Sequence, residues 1–235
     1  MREYLGLTLI IPDRPDAERD AVASAWTEVG GKVLRLGRFW EPPELDPANV
    51  RVYGSETFCL VLAEKLNLTL ISPPDDFIRS VPSDLLARRV EIVRLCEALE
   101  SRFPVFVKPV KPKQFSARVY SGPHDLQEET CGLNPDAPVI RSEVVKLLAE
   151  ARAFVLDGRV LDASIYEGDA PLPEEFLASL GERVALPVSC VVDAGLIAGA
   201  GWAFLEANAV WGAGLNGCKA SLVLPCIEWA SGPAA

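Results

Sequence analysis

At Val105 the chain changes its pattern, and that change limits its fold more than any single motif does. Before it, strand-like and helix-like segments alternate. An apolar run over residues 5–11 ends at Pro12, a helical stretch over 17–29 stops at Gly30 and Gly31, and strands are expected at 32–36 and 50–53. Ser55 is placed to cap a helix reaching Leu66, and 68–71 reads as the next strand. Such alternation predicts parallel pairing in an α/β layer. Pro73, Pro74, Asp75 and Asp76 interrupt it, and the spacing of Leu85, Leu86, Val90, Ile92, Val93, Leu95 and Leu99 predicts one longer helix over 83–101.

From Val105 onward strands follow one another, at 105–108, 116–121, 139–141, 151–156, 159–166, 188–194 and 202–207, with one helix at 174–181. Asp157 and Gly158 have the composition of a type I′ hairpin turn. The expectation is a parallel α/β lobe followed by an antiparallel α+β region, without internal repeats.

Composition narrows the function classes. The chain has 235 residues, 49% hydrophobic and 24% charged, as in a globular protein. Its net charge of −10 argues against broad binding to nucleic acid or anionic membranes. The apolar runs are too short for a membrane span, and no secretory signal precedes them. Six cysteines at positions 59, 96, 131, 190, 218 and 226 form no Cys-x-x-Cys pair and read as reduced cytosolic residues. With His124 as the only histidine, a zinc site or a Ser-His-Asp enzyme is disfavoured, and His124 itself reads as a loop residue.

The richest segment is Gly201-Trp-Ala-Phe-Leu-Glu-Ala-Asn-Ala209. Glu206 and Asn208 are two apart on a strand, so both project from one face. Asp193 lies a short hairpin upstream. Oxygen side chains converging beside apolar strands are costly to bury without a counter-ion, and such a set suits magnesium held with a substrate phosphate. Alone, Asp193 reads as a strand-end or turn residue; together the three point to a metal.

Lys108 ends an apolar strand, where its ammonium can lie over a phosphate. Lys111 and Lys113 follow in a proline-punctuated loop; closure over a polyphosphate and an ordinary solvated loop are both open readings. Glu150 and Arg152 share a strand face. Read in isolation they make a surface ion pair; the alternative is that Arg152 stabilises charge on a transferred phosphoryl group. The stretch Ala198-Gly-Ala-Gly201 joins strands without opening a helix and reads as a hairpin turn. Phe154, Trp202, Phe204 and Trp211 read as packing residues.

Taken in order, these elements resemble the ATP-grasp superfamily, and are similar to its compact bacterial and phage members. The resemblance rests on Phe106-Val-Lys-Pro109, Ser142-Glu-Val-Val145, residues 150–159, Val191-Val-Asp-Ala-Gly195 and Leu205-Glu-Ala-Asn208, and spans residues 105–217. It implies an ATP-grasp fold: a parallel α/β pre-grasp lobe (1–82), then an ATP-grasp domain (83–235) whose two α+β subdomains clasp ATP. It further implies Lys108 at the nucleotide phosphates or adenine edge and Glu143 on the segment that reads adenine and ribose. Arg152 would reach the terminal or acyl phosphate, and Lys113 is a further phosphate contact. Asp193, Glu206 and Asn208 would hold one or two magnesium ions.

The implied chemistry is ADP-forming C–N ligation through an acyl phosphate, in the cytoplasm, on an amino acid, peptide or protein terminus. A nucleotide-binding regulatory module without ligation, and direct phosphotransfer to a hydroxyl, are the alternatives.

Overall fold

A computed structural model describes residues 4–234. The chain packs into two compact units. One comprises Met1–Pro73, Ala149–Ala194 and Leu205–Ala235; the other comprises Pro74–Leu148 and Gly195–Phe204. These units interleave along the chain, whereas the lobes proposed from the sequence, 1–82 and 83–235, are consecutive.

The first unit opens with β1 (Thr8–Pro12), α1 (Ala17–Glu28), β2 (Lys32–Leu36), β3 (Val50–Val52), α2 (Glu56–Leu66) and β4 (Leu68–Leu70). Strands β2-β1-β3 form a parallel sheet in which Ile10 lies between Leu34 and Val52, as the alternation predicts. Helix α1 starts where the Asp16 carboxylate accepts the backbone N–H of Arg19 at 3.0 Å. It buries Val22, Ala25 and Trp26, which recur at helical spacing, in the core cluster that also holds Leu9, Ile10 and Ile11 of the sheet. Full burial of a side chain such as Val22, Leu9 or Ile10 contributes roughly 1.5–3 kcal/mol. Strand β4 departs from the expected parallel pairing, because its partner is the C-terminal strand β13 (Ser231–Pro233), antiparallel.

The second unit corrects the expected helix over 83–101. That stretch is α3 (Ser83–Leu86), β5 (Val90–Arg94) and α4 (Leu95–Leu99). Ala87 takes a left-handed conformation, φ +48°, which ends α3. The following Val90, Ile92 and Val93 are β-branched and pair with the neighbouring strand, so their pleated fit overrides a helix-like spacing. Next come β6 (Val105–Pro109), β7 (Arg118–Tyr120), α5 (Pro123–Glu129) and β8 (Pro138–Ser142), in the antiparallel order β5-β8-β6-β7. His124, expected in a loop, is exposed in the first turn of α5, a helix whose proline at its start marks an N-terminus.

One face of this sheet packs Val105, Val107 and Val139 on Leu95, Ala98 and Leu126 of α4 and α5. By alternation the other carries Phe106, Lys108, Ile140 and Ser142. At that second face Arg88 donates to Ser142 Oγ at 3.2 Å and to the carbonyls of Leu86 at 3.0 Å and Phe204 at 2.9 Å. Burial pushes its guanidinium pKa down.

The remaining elements are β9 (Leu147–Leu156), β10 (Arg159–Gly168), α6 (Glu174–Arg183), β11 (Ser189–Ile197), β12 (Gly201–Asn208) and α7 (Ala220–Trp229), the last not anticipated from the sequence. The sheet order is β10-β9-β11-β12. Asp157 and Gly158 join β9 to β10 with φ of +49° and +73°, the two left-handed residues a type I′ turn requires. The expected turn between β11 and β12 is present at residues 198–200, and so short a link makes that pair antiparallel. Phe154, Phe204 and Trp211 are buried as read, and Trp202 is half-buried. All six cysteines are free thiols, four of them buried.

Candidate active site

Neighbouring strands bring four of the expected residues together within the first unit: Arg152 on β9, Asp193 on β11, and Glu206 and Asn208 on β12. Asp193 stands inside its strand at 3% exposure, and is neither a strand-end nor a turn residue. Arg152 grips it with a fork, Nε to Oδ1 at 2.8 Å and Nη2 to Oδ2 at 2.7 Å. A third bond runs from Nη1 to the Gly214 carbonyl at 2.9 Å. These use three of the five guanidinium N–H donors. The Asn208 amide donates to Asp193 Oδ2 at 3.2 Å and to Glu206 Oε1 at 2.9 Å, so Glu206 and Asn208 do share a face.

The electrostatics of this pair are set by burial. Desolvation pushes the Asp193 carboxyl above its ordinary value, Arg152 and the Asn208 amide pull it part of the way back, and Glu206 raises it further. Burial works against the Arg152 charge, but Asp193 outweighs it and the guanidinium pKa is raised.

The surface pair read between Glu150 and Arg152 is not formed in this way. Arg152 turns to Asp193, while Glu150 accepts a 2.7 Å hydrogen bond from the Tyr166 hydroxyl. The ring of Tyr166, on strand β10, has its centroid 5.8 Å from the Arg152 guanidinium carbon. Desolvation, with the Glu150 bond, drives the Tyr166 phenol far above its ordinary value.

The second unit holds the other three expected residues. Lys108 is half-buried on β6, in register with Ile140 of β8. Lys113 is exposed and left-handed, φ +64°, in the loop after β6. Glu143 follows β8 and is exposed; its carboxylate accepts the Arg89 N–H at 2.9 Å while its own N–H donates to the Arg89 carbonyl at 3.0 Å.

Sequence reasoning missed the support behind Arg152. After Asn208 the chain turns into a loop held by Tyr53, whose hydroxyl donates to the Ala213 carbonyl at 2.8 Å, and by Glu18 of α1. Both Glu18 carboxylate oxygens are used, accepting Leu215 N–H at 2.9 Å and Asn216 N–H at 2.8 Å. Asp162 accepts the Lys219 N–H at 2.6 Å. An acid in the first turn of a helix looks like a dipole partner, so the sequence carries no signal of this role.

Among the described residues no three His, Cys, Asp or Glu side chains cluster as a metal site. The oxygen set here is two carboxylates and one amide. No helix of the described residues is long and apolar enough to cross a membrane.

A family model described as ATP-grasp domain, R2K clade family 2, matches residues 85–226. No curated protein matches the chain. Among solved structures, a RimK domain protein ATP-grasp from Sphaerobacter thermophilus DSM 20745 superposes with a TM-score of 0.64 at 12% identity, over 94% of this chain and 99% of that one. The ATP-grasp ligase PsnB, complexed with a phosphomimetic variant of its minimal precursor, Mg and ADP, gives 0.56 at 14%, over 97% and 96%. N5-carboxyaminoimidazole synthetase from Staphylococcus aureus gives 0.59 at 13%, over 99% and 81%. At these identities the likeness establishes the fold.

Proposed function

The chain belongs to the ATP-grasp domain family, R2K clade family 2, and on that premise we propose that it is an ATP- and magnesium-dependent carboxylate–amine ligase. The observation that carries this reading is the cluster of Arg152, Asp193, Glu206 and Asn208, which lies within the matched residues. One amide bridging two carboxylates becomes an all-oxygen set when Asn208 turns its Oδ1 toward them, and such a set fits magnesium. When bound, magnesium neutralises phosphate oxygens and holds them in place.

The residues have separable tasks. Asp193, Glu206 and Asn208 hold the cation. Arg152, fixed by Asp193 and Gly214, offers its remaining donors to the terminal phosphate, a bidentate geometry that suits a phosphoryl group. Lys108 supplies a point charge to the nucleotide phosphates, with Lys113 as a further contact from its loop. Glu143 is assigned, by the family resemblance, to reading the nucleotide's ribose and base. The acid substrate's carboxylate attacks the γ-phosphorus and ADP leaves; an amine then displaces phosphate from the acyl phosphate, giving an amide. Amino acids, peptides and protein termini are the proposed substrate class, and the ATP-grasp ligase PsnB, similar in fold, is seen complexed with its precursor peptide PsnA2.

The test is phosphate release from ATP across a panel of acids and amines, peptides included, with products identified by mass spectrometry. An amide with ADP is the expected result. Release of no phosphate under conditions where a control ligase turns over contradicts the proposal, and a phosphorylated alcohol would establish phosphotransfer instead.

A further inference from the structure

We propose that Glu18, in the leading segment of the chain, is a positioning residue for Arg152 and thereby sets the recognition of the terminal phosphate. The inference rests on the reading of Arg152 as the terminal-phosphate contact. Its physical basis is a relay of hydrogen bonds within one compact unit. Glu18 takes the consecutive N–H groups of Leu215 and Asn216 on its two carboxylate oxygens, at 2.9 and 2.8 Å. Asn216 and Gly217 are both left-handed, φ +47° and +88°, so the loop turns sharply just after the two clamped N–H groups.

The residue just before this clamp is Gly214, whose carbonyl holds Arg152 Nη1 at 2.9 Å. The fit is close: a Cβ on Gly214 would stand 2.6 Å from Glu18 Oε2. The Asp193 fork alone leaves the guanidinium free to pivot about that carboxylate, and the Gly214 carbonyl removes the pivot. Glu18 therefore fixes the direction of the donors that Asp193 does not use. A carboxylate is needed, because an amide could accept one of the two N–H groups but would oppose the other with its own donors.

The experiment compares binding of Mg·AMPPNP with binding of Mg·ADP by calorimetry, in the full chain, for wild type, Arg152→Met, Glu18→Gln and Gly214→Ala. Wild type should prefer the nucleotide with the third phosphate, and Arg152→Met should lose that preference. Glu18→Gln should lower the preference about tenfold, the worth of one charge-assisted hydrogen bond, while Mg·ADP affinity stays put. Gly214→Ala reaches the same relay from the loop side and should act alike, which covers a Glu18 variant that folds poorly. Should Arg152→Met lose the preference while Glu18→Gln and Gly214→Ala keep it, Glu18 has no such role. Parallel loss of both nucleotides would also overturn it, as a purely structural effect. A wild type with no preference, or an Arg152→Met variant that keeps it, overturns the reading of Arg152 and the inference together.

Discussion

Among the described residues two Arg–Asp forks, one end-on and one side-on, have similar bond lengths and opposite character. In one, Arg118 grips Asp125 at 2.6 and 3.1 Å, with side chains 40% and 35% exposed. In the other, Arg152 grips Asp193 at 2.8 and 2.7 Å, with side chains 12% and 4% exposed. The hydrogen bond from Arg118 holds the Asp125 carboxyl below the usual carboxylate range, whereas burial lifts that of Asp193 above it. Asp125 is helped further by the Ser121 N–H, which it accepts at 3.1 Å, but the largest cause of the raised Asp193 value is its removal from solvent. An exposed fork ties β7 to α5 at little cost. A buried one takes two charges out of water, and replacing such a pair by apolar side chains is often neutral or stabilising. Under the proposed function the buried pair, beside a second carboxylate and an amide, serves ligand binding in spite of that cost.

Removing one partner of each fork should therefore have unequal effects. Asp193→Ala strands a buried guanidinium and should cost about 3–5 kcal/mol in denaturant unfolding, along with turnover. Replacing both partners, Arg152→Met with Asp193→Leu, should restore most of that stability and none of the activity. A double variant no more stable than Asp193→Ala would show that the fork is a structural device after all.

Glu206→Ala comes next. It should lower magnesium-dependent turnover about 100-fold or more, the scale of losing one electrostatic partner of a reacting group, with a small change in stability. Lys108→Ala should weaken ATP binding about tenfold, as expected for one charged contact, and equal affinity in the two proteins would remove Lys108 from the site. Asp125→Ala should leave nucleotide binding unchanged and lower the melting temperature less than any of the buried substitutions.

The smallest effect is the most diagnostic of the comparison. In a carboxyl-carbon titration of the nucleotide-free protein, Asp125 should titrate below the ordinary value of about 3.9 and Asp193 above it. The two then act on stability with opposite signs. Asp125 contributes stability above its unfolded pKa that is lost as pH falls through its lower folded value; ionised Asp193 detracts from stability above its raised value, and that penalty disappears as pH falls below the ordinary one. Both carboxyls titrating on the same side of the ordinary value would erase the distinction drawn between the forks.

Much of this was legible in the sequence where spacing and local geometry agree. The period-two placement of Glu206 and Asn208 put them on one face, and Asp157-Gly158 announced its turn. Legibility failed where partners are remote or two periods coincide. Leu85, Val90, Val93 and Leu99 fit a helical spacing, yet the strand at β5 is decided by pairing with β8, some fifty residues on. Arg152 looked paired with Glu150 two residues away, but its partner is 41 positions distant. The contact of Glu18 is more remote still, 197 residues along the chain, and a first-turn glutamate gives no hint of it. The parallel sheet of the leading segment was foreseen for β1, β2 and β3, while the pairing of β4 with the C-terminus was not, since β13 is only three residues long and contains Gly232 and Pro233.

Calorimetric titration of ATP, with and without magnesium, into wild type and Glu206→Ala tests most directly whether the buried fork and its neighbours form the cation end of an ATP site. Wild type should bind ATP more tightly when magnesium is present, and Glu206→Ala should lose that dependence while keeping magnesium-free binding. ATP affinity indifferent to magnesium in the wild type, or a dependence unchanged in Glu206→Ala, would contradict it.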